Sequence, residues 1–357
     1  MKLWLNLILC LVLLPPPVMA MPAGGRVVGG TAVITQPNGQ TLSIDQLTDK
    51  AIINWKGFSI NVNELVKFVQ PSANSVVLNR VTGVAPSSIL GSLAANGRVF
   101  IVNPNGILFG PKSTVDVAGL LATTLNINDN DFLAGKYNFS QEPGKAPSYV
   151  INKGEIKVAD NGFVFLVAPG VVNDGLIIAN LGKAVMASGQ KLAVDFTGDG
   201  LISFVIEGKV LDQVLGPDGT PLKSAVSNTG TIRADGGQVV LTAKASSDIF
   251  SSVVNNSGII EAHSLVNRGG VIRLEGSDPV PNTGEIGWQA NLGKVQNADG
   301  RVLNTGTLDV SAREAGAAPG EVTLSGQMVG VSGSILAVVP RERKAGACWS
   351  HRAKKLS

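Results

Sequence analysis

The fold of this 357-residue chain is decided by two neighbouring segments, Asn228-Thr229-Gly230-Thr231-Ile232-Arg233 and Gly237-Gln238-Val239-Val240-Leu241-Thr242. In the first, an Asn-x-Gly turn precedes a short apolar strand, and in the second a glycine opens a strand with alternating side chains. Asparagine and glycine are typical of corners because they tolerate left-handed backbone angles that β-branched residues resist. The pair therefore predicts two short strands separated by tight corners.

The same pattern recurs along the chain after residue 145. Neighbouring turns lie 21, 28, 26 and 22 residues apart, and further glycine-led strands begin at residues 162, 270 and 320. Self-similarity at this period predicts a solenoid, and units made of strands and corners predict an all-β, single-stranded parallel β-helix. A lone rung buries too little apolar surface to offset its loss of backbone entropy, so the rungs must stack. The other turns are Asn152-Lys153-Gly154, Asn173-Asp174-Gly175, Asn256-Ser257-Gly258, Asn282-Thr283-Gly284 and Asn304-Thr305-Gly306.

The region between residues 25 and 145 lacks this repeat. Because an open β-helix end would invite edge-to-edge aggregation, an N-terminal β cap is expected here. The sequence of residues 86–93 predicts one short helix or an irregular arm, with Ser87 and Ser88 as candidate helix caps. Strands are predicted at residues 27–28, 31–35, 51–55, 65–69, 75–81 and 98–102.

The N-terminus has the form of a secretory signal read by the Sec translocon. Lys2 precedes an apolar run over residues 3–14, which is too short to span a membrane, and three prolines follow it. Small residues at the −3 and −1 positions place cleavage after Ala20, with a site after Ala23 as the alternative. Removal of the signal takes away Cys10 and leaves Cys348 alone, so no intramolecular disulfide is expected.

These features predict four divisions of the chain. They are the signal peptide at residues 1–20, a capped domain with the first rungs at 21–145, further rungs at 146–340, and a basic tail at 341–357 that breaks the pattern. The tail holds a surplus of five positive charges, and Lys2 adds one more. These charges together exceed the net charge of the whole chain, which is +3. The body is therefore net negative, and no nucleic-acid partner is expected.

Composition restricts the chemistry. Charged residues make up 15% of the chain and aromatic residues 5%, which excludes coiled coils and acidic disordered tails. With His263 and His351 as its two histidines, the chain offers no His-based catalytic centre or multi-His metal site. We expect no cofactor, no metal and no catalytic residues.

Four motifs occur in order in the first part of the body, and they resemble a known family. They are similar to the haemagglutination-activity, or two-partner secretion, domain of filamentous-haemagglutinin-like exoproteins of Gram-negative bacteria, with the branch of high-molecular-weight adhesins as the closer match. The strong motifs cover residues 25–127, and the repeats extend the likeness to about residue 335. The motifs are Ala51-Ile52-Ile53-Asn54-Trp55-Lys56-Gly57-Phe58-Ser59-Ile60, Phe68-Val69-Gln70-Pro71, Leu78-Asn79-Arg80-Val81-Thr82-Gly83 and Asn96-Gly97-Arg98-Val99-Phe100-Ile101-Val102-Asn103-Pro104-Asn105-Gly106-Ile107-Leu108-Phe109-Gly110.

The resemblance implies a right-handed parallel β-helix with an N-terminal cap. It also implies recognition in the periplasm by an outer-membrane two-partner secretion transporter with POTRA domains, through which the chain crosses unfolded to the cell surface or medium. Adhesion or haemagglutination through a host-cell or bacterial surface receptor is the function it implies. A second family motif, Asn-Pro-Asn-Leu, is absent. The family's secretion motif falls on Asn103, Pro104, Asn105, Gly106 and Ile107.

The tetrapeptide at residues 103–106 supports two interpretations. Pro104 fixes φ at the first corner position, Asn105 is predicted to take the strained second one, and Gly106 releases the chain into the next strand. The turn either holds two strands in register or serves as an address for the transporter, and a sharp turn beside strand edges suits β-augmentation by a POTRA domain. Both interpretations can hold together. We further expect four residues of the motifs to pack in the cap: Trp55, Asn79, Arg80 and Phe100.

Other functions remain open at this point. Parallel β-helices also include polysaccharide-active enzymes, whose sites need clustered carboxylates. Acidic residues are sparse: Asp195 and Asp199 lie near Glu207 in the sequence, and Asp129 and Asp131 flank Asn130. The segment Asp195-Phe196-Thr197-Gly198-Asp199-Gly200 is better interpreted as a loop with solvent-exposed charges. The N-terminal part of a contact-dependent toxin or of a haemolysin would have the same sequence features.

Overall fold

The computed structural model describes residues 21–196, 202–246, 248–265, 268–276, 300–326 and 328–340. The predicted signal peptide, the basic tail, the turn at residues 282–284 and Asp199 lie outside the described residues. Within them, β-strands dominate and the single α-helix is five residues long. The prediction of an all-β chain is confirmed.

The first half of the described chain contains short strands and the helix α1. Most strands have three to seven residues, whereas two are long enough to cross a corner without a break. In chain order they are β1 (Arg26–Gly29), β2 (Ala32–Asn38), β3 (Thr41–Gln46), β4 (Lys50–Trp55), β5 (Leu65–Val69), β6 (Val76–Val81), β7 (Ser87–Ile89), β8 (Ser92–Ala95), β9 (Arg98–Val102), β10 (Ile107–Phe109), β11 (Thr114–Thr123), β12 (Asn126–Ile127), α1 (Asp129–Leu133), β13 (Tyr137–Ser140), β14 (Tyr149–Asn152) and β15 (Glu155–Val167).

The second half continues in the same way, with three strands to each complete rung. Its elements are β16 (Gly170–Asn173), β17 (Leu176–Ile178), β18 (Lys183–Ser188), β19 (Lys191–Asp195), β20 (Ser203–Glu207), β21 (Ser224–Asn228), β22 (Thr231–Arg233), β23 (Gln238–Ala243), β24 (Ser252–Asn256), β25 (Ile259–Glu261), β26 (Val271–Glu275), β27 (Arg301–Asn304), β28 (Thr307–Asp309), β29 (Glu321–Ser325), β30 (Met328–Val331) and β31 (Ser334–Leu336).

Three columns of parallel strands run along the molecule. The first contains β3, β5, β8, β17, β22, β25, β28 and β31, and the second contains β4, β6, β9, β18, β23, β26 and β29. The long strands β11 and β15 contribute to both columns and pair with each other across a register shift after Val117. The third contains β7, β10, β14, β16, β21, β24, β27 and β30. The parallel β-helix predicted from the repeat is confirmed.

The main hydrophobic core fills the space between the three columns. In a complete rung, Val226 of β21, Ile232 of β22 and both Val239 and Leu241 of β23 are fully buried. Each of these side chains lies directly above and below its equivalents in the adjacent rungs, because the pairing is parallel and in register. The core therefore extends continuously along the solenoid axis.

The N-terminal end is covered by two antiparallel strands. β1 pairs with β4 of the second column, and β2 pairs with β3 of the first. Their outward edges have no further strand among the described residues. This cover is the arrangement that an open β-helix end requires.

An outer antiparallel sheet lies against the second column. It consists of β12, β13, β19 and β20, and it covers the outward face of β9, β11, β15 and β18. A second core forms between the layers, in which Phe100, Phe163 and Phe165 contact Phe139 and Leu192. The strands beneath this sheet are consequently buried on both faces, as the pattern of β9 shows, whereas β26 further along the column has partly or fully exposed residues on one face.

Asparagines at the end of the third column form a continuous ladder. The Nδ2 of each donates to the Oδ1 of the next, over 2.7–2.8 Å, and all five side chains are fully buried. The Nδ2 of Asn228 also donates to the carbonyl of Gly230 at 3.3 Å, and the same local bond occurs in the other rungs. The ladder residues are Asn152, Asn173, Asn228, Asn256 and Asn304.

Two columns of glycines stand beside the corners, and the reason for them differs from the prediction. Neither Gly230 nor Gly237 has positive φ, and no ladder asparagine does. Instead, a Cβ at Gly230 would overlap with the carbonyl oxygen of Gly175 in the preceding rung. Glycine is required here by the close approach of successive backbones, so the expectation of left-handed angles was wrong for the Asn-x-Gly corners. At the other corner, Asn161, Leu181 and Gly236, each directly before a glycine of the second column, do have positive φ. The two columns are Gly154, Gly175, Gly230, Gly258, Gly306 and Gly333, and Gly162, Gly182, Gly237, Gly270 and Gly320.

Candidate recognition turn

The Asn-Pro-Asn-Gly segment forms a tight turn between β9 and β10. The carbonyl of Asn103 accepts a hydrogen bond from the N–H of Gly106 at 3.1 Å, and the Asn103 N–H donates to the carbonyl of Thr123 at 3.0 Å. The Asn103 Oδ1 accepts from the Asn105 N–H at 3.0 Å. The segment is therefore closed both by its backbone and by its first side chain.

The strained position of this turn is Gly106 and not Asn105. Gly106 has a φ of 114°, a conformation that favours glycine, whereas Asn105 has no positive φ. The expectation that Asn105 takes the strained angle was therefore wrong. Its Nδ2 instead donates to the carbonyl of Gly83 at 2.9 Å. Asparagine is used at this position as a hydrogen-bond donor.

The side chain of Asn103 fastens the turn to the preceding rung. Its Nδ2 donates to the carbonyl of Ala85 at 3.0 Å and to the Ser87 Oγ at 2.9 Å. Both Asn103 and Ser87 are fully buried. Ser87 lies in β7, and Ser92 begins β8, so the helix or irregular arm predicted for residues 86–93 is wrong. Nothing in the local sequence marks the hydrogen-bond acceptors at residues 83–87, because the residues that donate to them, Asn103 and Asn105, lie one rung further along the chain.

The remaining residues of the motif are placed around this network. Pro104 and Asn105 are half-buried, whereas Ile107 is fully buried in the main core and begins β10. Ile107 pairs in register with Ser87 on one side and Val150 on the other. The motif thus joins the first rungs to the repeated part of the helix.

Trp55 and Asn79 lie together beneath the N-terminal cover. The Trp55 Nε1–H donates to the Asn79 Oδ1 at 3.0 Å, and both side chains are at most 1% exposed. Phe58 packs edge-on against Trp55, with ring centroids 5.6 Å apart. A Cβ at Gly25 would overlap with the Trp55 ring, so the backbone at Gly25 packs directly against this indole.

Arg80 and Phe100 lie elsewhere and face the outer layer. The Arg80 guanidinium contacts the carboxylate of Asp129 at 2.6 Å and donates to Asn126 Oδ1 at 2.8 Å. Phe100 belongs to the second core and not to the core around Trp55. The four residues expected in the cap are therefore divided between two environments, and Asp129 is the ion-pair partner of Arg80.

An aromatic cluster surrounds Phe100 and includes one cation. The Arg98 guanidinium lies 5.4 Å from the ring centroid of Phe196 and 5.7 Å from that of Phe163. Burial lowers the pKa of Arg98, and burial likewise raises the pKa of Tyr137, which packs against Phe100. This cluster fastens the outer sheet to the rungs, and it was not predicted because its members are far apart in the chain.

Asp195 and Glu207, which lie near each other in the sequence, are not brought together in the described structure. Asp195 pairs with Ser203 and Glu207 pairs with Lys191, so the two acids stand at opposite ends of the β19–β20 hairpin, about 13 Å apart along the strands. No group of three or more His, Cys, Asp or Glu residues within the described ranges could hold a metal ion. A helix long and apolar enough to span a bilayer is also not found among these residues.

The chain matches the model of the TPS secretion domain family, where TPS stands for two-partner secretion, over residues 19–297. It is 37% and 31% identical to two heme/hemopexin-binding proteins of Haemophilus influenzae, over 72% and 71% of its own length. These alignments cover 27% and 28% of the relatives, so the chain spans about a quarter of the length of the curated relatives that it matches.

The crystal structure of the HMW1 secretion domain from Haemophilus influenzae superposes with a TM-score of 0.65 at 26% identity, covering 89% of this chain and 84% of that one. This likeness confirms the predicted fold class, a right-handed single-stranded parallel β-helix with an N-terminal β cap. The family match covers far more than half of the sequence. This chain therefore belongs to the TPS secretion domain family.

Proposed function

We propose that this chain is the N-terminal secretion module of an exoprotein that a partner outer-membrane transporter recognises through its POTRA domains. After Sec-dependent export to the periplasm, the unfolded chain passes through the transporter and folds at the cell surface of a Gram-negative bacterium. The proposal rests above all on one observation, the match to the TPS secretion domain family over residues 19–297.

Burial of the Asn-Pro-Asn-Gly turn indicates when recognition takes place. The Asn103 side chain is fully buried and bonded to Ala85 and Ser87, so no partner can contact it in the folded chain. In the unfolded chain the same residues are accessible, and a turn-forming segment next to the future strands β9 and β10 can add to an exposed sheet edge. We infer that the transporter binds the motif while the chain is unfolded. Folding then buries the Asn103 side chain and makes it inaccessible to the transporter.

The rung architecture supplies a source of free energy for export. Each rung that emerges adds parallel backbone hydrogen bonds and buries apolar side chains against its predecessor, as Ile232 does on Ile177. In the repeated part it also adds one ladder bond, such as that between Asn173 and Asn228 at 2.7 Å. A solenoid gains stability with each stacked unit, so folding outside the cell opposes return of the chain.

The test is export of the Asn105→Ala variant together with the partner transporter. The substitution removes the Asn105 Nδ2 that bonds Gly83, and with it the side chain that the transporter would contact. We expect at least a tenfold fall in secreted protein, with a soluble periplasmic precursor that is degraded, measured by immunoblotting of medium and periplasm. Unchanged export would remove the motif from the recognition site.

A matched control separates recognition from folding. Ser87→Ala removes the Oγ that accepts from Asn103 but leaves residues 103–107 intact. If recognition depends on the motif itself, this variant is exported normally, even though its folded state is less stable by about 1–2 kcal/mol. Export that falls equally in both variants, in proportion to stability, would mean that the turn acts only in folding.

We propose adhesion to host cells or other bacteria as the role of the exported protein. A rod built from stacked rungs can present a binding region away from the cell surface. The curated relatives are heme/hemopexin-binding proteins, which favours binding of a haem carrier as a second candidate. Binding of the exported full-length protein to epithelial cells and to hemopexin, measured side by side, distinguishes the two.

A further inference from the structure

The backbone nitrogen of Met21 lies against a buried carboxylate. It is 3.0 Å from the Oε2 of Glu64, and the same oxygen accepts from the N–H of Asn61 at 2.7 Å. Glu64 is 9% exposed and Met21 is 6% exposed. No cationic side chain among the described residues forms an ion pair with Glu64. A buried carboxylate held by neutral donors alone is costly, and a positive partner would offset that cost.

Met21 also has an unusual backbone conformation. Its φ is +66°, in the left-handed region that residues with a side chain rarely adopt. This torsion exists only while a peptide bond joins Met21 to the preceding residue. In a chain that begins at Met21 there is no such torsion and no such strain.

Residues 22–25 continue directly into the cover of the helix. The Ala23 N–H donates to the Gly57 carbonyl at 2.8 Å, and the Ala23 carbonyl accepts from the Lys56 N–H at 2.9 Å. Cleavage after Ala23 would remove this bridge together with the buried Met21 side chain. Cleavage after Ala20 would keep both.

We propose that the Ala20–Met21 bond is a processing site and that the amine it releases forms a buried ion pair with Glu64. A signal peptidase hydrolyses the amide bond with one water, leaving a carboxylate on Ala20 and an α-amine on Met21, which is mostly protonated at neutral pH. The ammonium then takes the place of the neutral N–H at Glu64. The processed chain therefore closes its cap more firmly than the precursor. This inference is independent of how the transporter recognises the chain.

A four-variant comparison of the chain covering residues 21–357 tests the ion pair. One chain begins at Met21, and a second carries Gly-Ser ahead of it, which moves the charge away from Glu64. Each is prepared with and without Glu64→Gln. Amide hydrogen exchange at Lys56, whose N–H bonds Ala23, reports how often the first strand detaches.

We expect the Gly-Ser extension to lower protection at Lys56 about tenfold when Glu64 is present, because a buried carboxylate then loses its partner. Glu64→Gln should lower protection by a similar factor in the chain that begins at Met21, but change it less than about twofold in the extended chain. Equal effects of Glu64→Gln in the two chains would overturn the ion pair. So would equal protection in the two chains that retain Glu64.

Two further measurements keep the proposal testable if Glu64→Gln does not fold. Acetylation of the α-amine in the chain that begins at Met21 removes the charge without changing any side chain, and it should reproduce the loss at Lys56. Mass spectrometry of the exported protein should find an N-terminus at Met21. An N-terminus at Gly24, or protection unchanged by acetylation, would contradict the proposal.

Discussion

The first rungs and the later rungs of this β-helix satisfy their buried polar groups in two different ways. In the later rungs, each ladder asparagine bonds to its equivalent one rung away, from Asn152 to Asn304. In the first rungs, buried polar side chains such as Asn79 and Asn103 bond to residues of another kind, Trp55 and Ser87, and the like pair of Gln46 and Gln70 does not continue as a ladder. The repeated part thus uses the same side-chain hydrogen bond in every rung, whereas the hydrogen bonds in the first part differ from one residue to the next.

This difference has a consequence for stability and export. A rung of the repeated part can form on any rung before it, because the ladder and the glycine columns present the same surface each time. The first part has no preceding rung, and its end is closed by β1 and β2 instead. The N-terminal part therefore supplies the first surface on which the repeated rungs can stack.

The largest expected effect is that of Gly230→Ala in the middle of the repeated part. The new Cβ would overlap with the carbonyl of Gly175, and a backbone atom in a stacked rung cannot move aside without disturbing its neighbours. We expect a loss of about 3 kcal/mol in the free energy of unfolding, measured by urea denaturation. Amide exchange should show that lost protection is confined to the rungs around β22, while β4 and β6 stay protected.

Gly39→Ala provides the control for this prediction. Gly39 has no atom within 4 Å of an added Cβ, has no positive φ and is exposed. Its substitution should change the free energy of unfolding by less than about 0.5 kcal/mol. A similar loss in the two variants, or protection lost along the entire rod, would contradict the view that the rungs are equivalent and add one at a time.

The sequence predicted the repeated part well because its rule is local. An Asn-x-Gly turn followed by a short strand can be recognised in one rung, and the strands predicted to open at Gly237 and Gly270 are present as Gln238–Ala243 and Val271–Glu275. The reason for the glycines was not predicted. It lies in the approach of two rungs, which one segment of sequence does not show.

The outer sheet was not predicted, since its partners are distant in the chain. Tyr137–Ser140 pairs with Lys191–Asp195, and two rungs of the helix, β14–β15 and β16–β18, lie between these strands in the chain. The helix α1 was not predicted either. Its buried Phe132 packs against Phe100 and fixes it to the second core.

The candidate site was predicted in part. Residues 103–106 do form the expected turn, but its fastening to Gly83, Ala85 and Ser87 was hidden by the interpretation of residues 86–93 as a helix or arm. Local propensity could not choose between strand and helix there. The choice is made by parallel pairing of β7 with β10, which depends on the turn itself.

A smaller effect is expected along the asparagine ladder, and it depends on position. Asn228 bonds to a ladder neighbour on both sides, whereas Asn304 has one, because Val331 stands at the equivalent position in the next rung. Asn228→Ala should cost about 2 kcal/mol and Asn304→Ala about 1 kcal/mol, measured by urea denaturation. The two substitutions remove the same atoms from equally buried sites. Equal losses would show that the local bonds to glycine carbonyls, and not the ladder, carry the stabilisation.

The smallest effect concerns the charge on Glu275, at the end of β26. Burial raises the pKa of Glu275, and the nearby charges of Arg273 and Lys244 only partly oppose this shift. A carboxyl whose pKa is raised by folding stabilises the folded state when protonated, at pH values below its unfolded pKa. That contribution is lost as the pH rises through the folded pKa.

Glu275→Gln should therefore raise the melting temperature at pH 7 by about 1–3 °C, and the difference from the parent chain should shrink as the pH falls to about 4. Thermal unfolding followed by circular dichroism at both pH values measures this directly. A variant that is less stable than the parent at pH 7 would mean that the interactions with Arg273 and Lys244 outweigh burial. Glu275 would then resemble Glu261 of the same part, whose carboxylate has a specific charge partner in Arg233 at 2.7 Å.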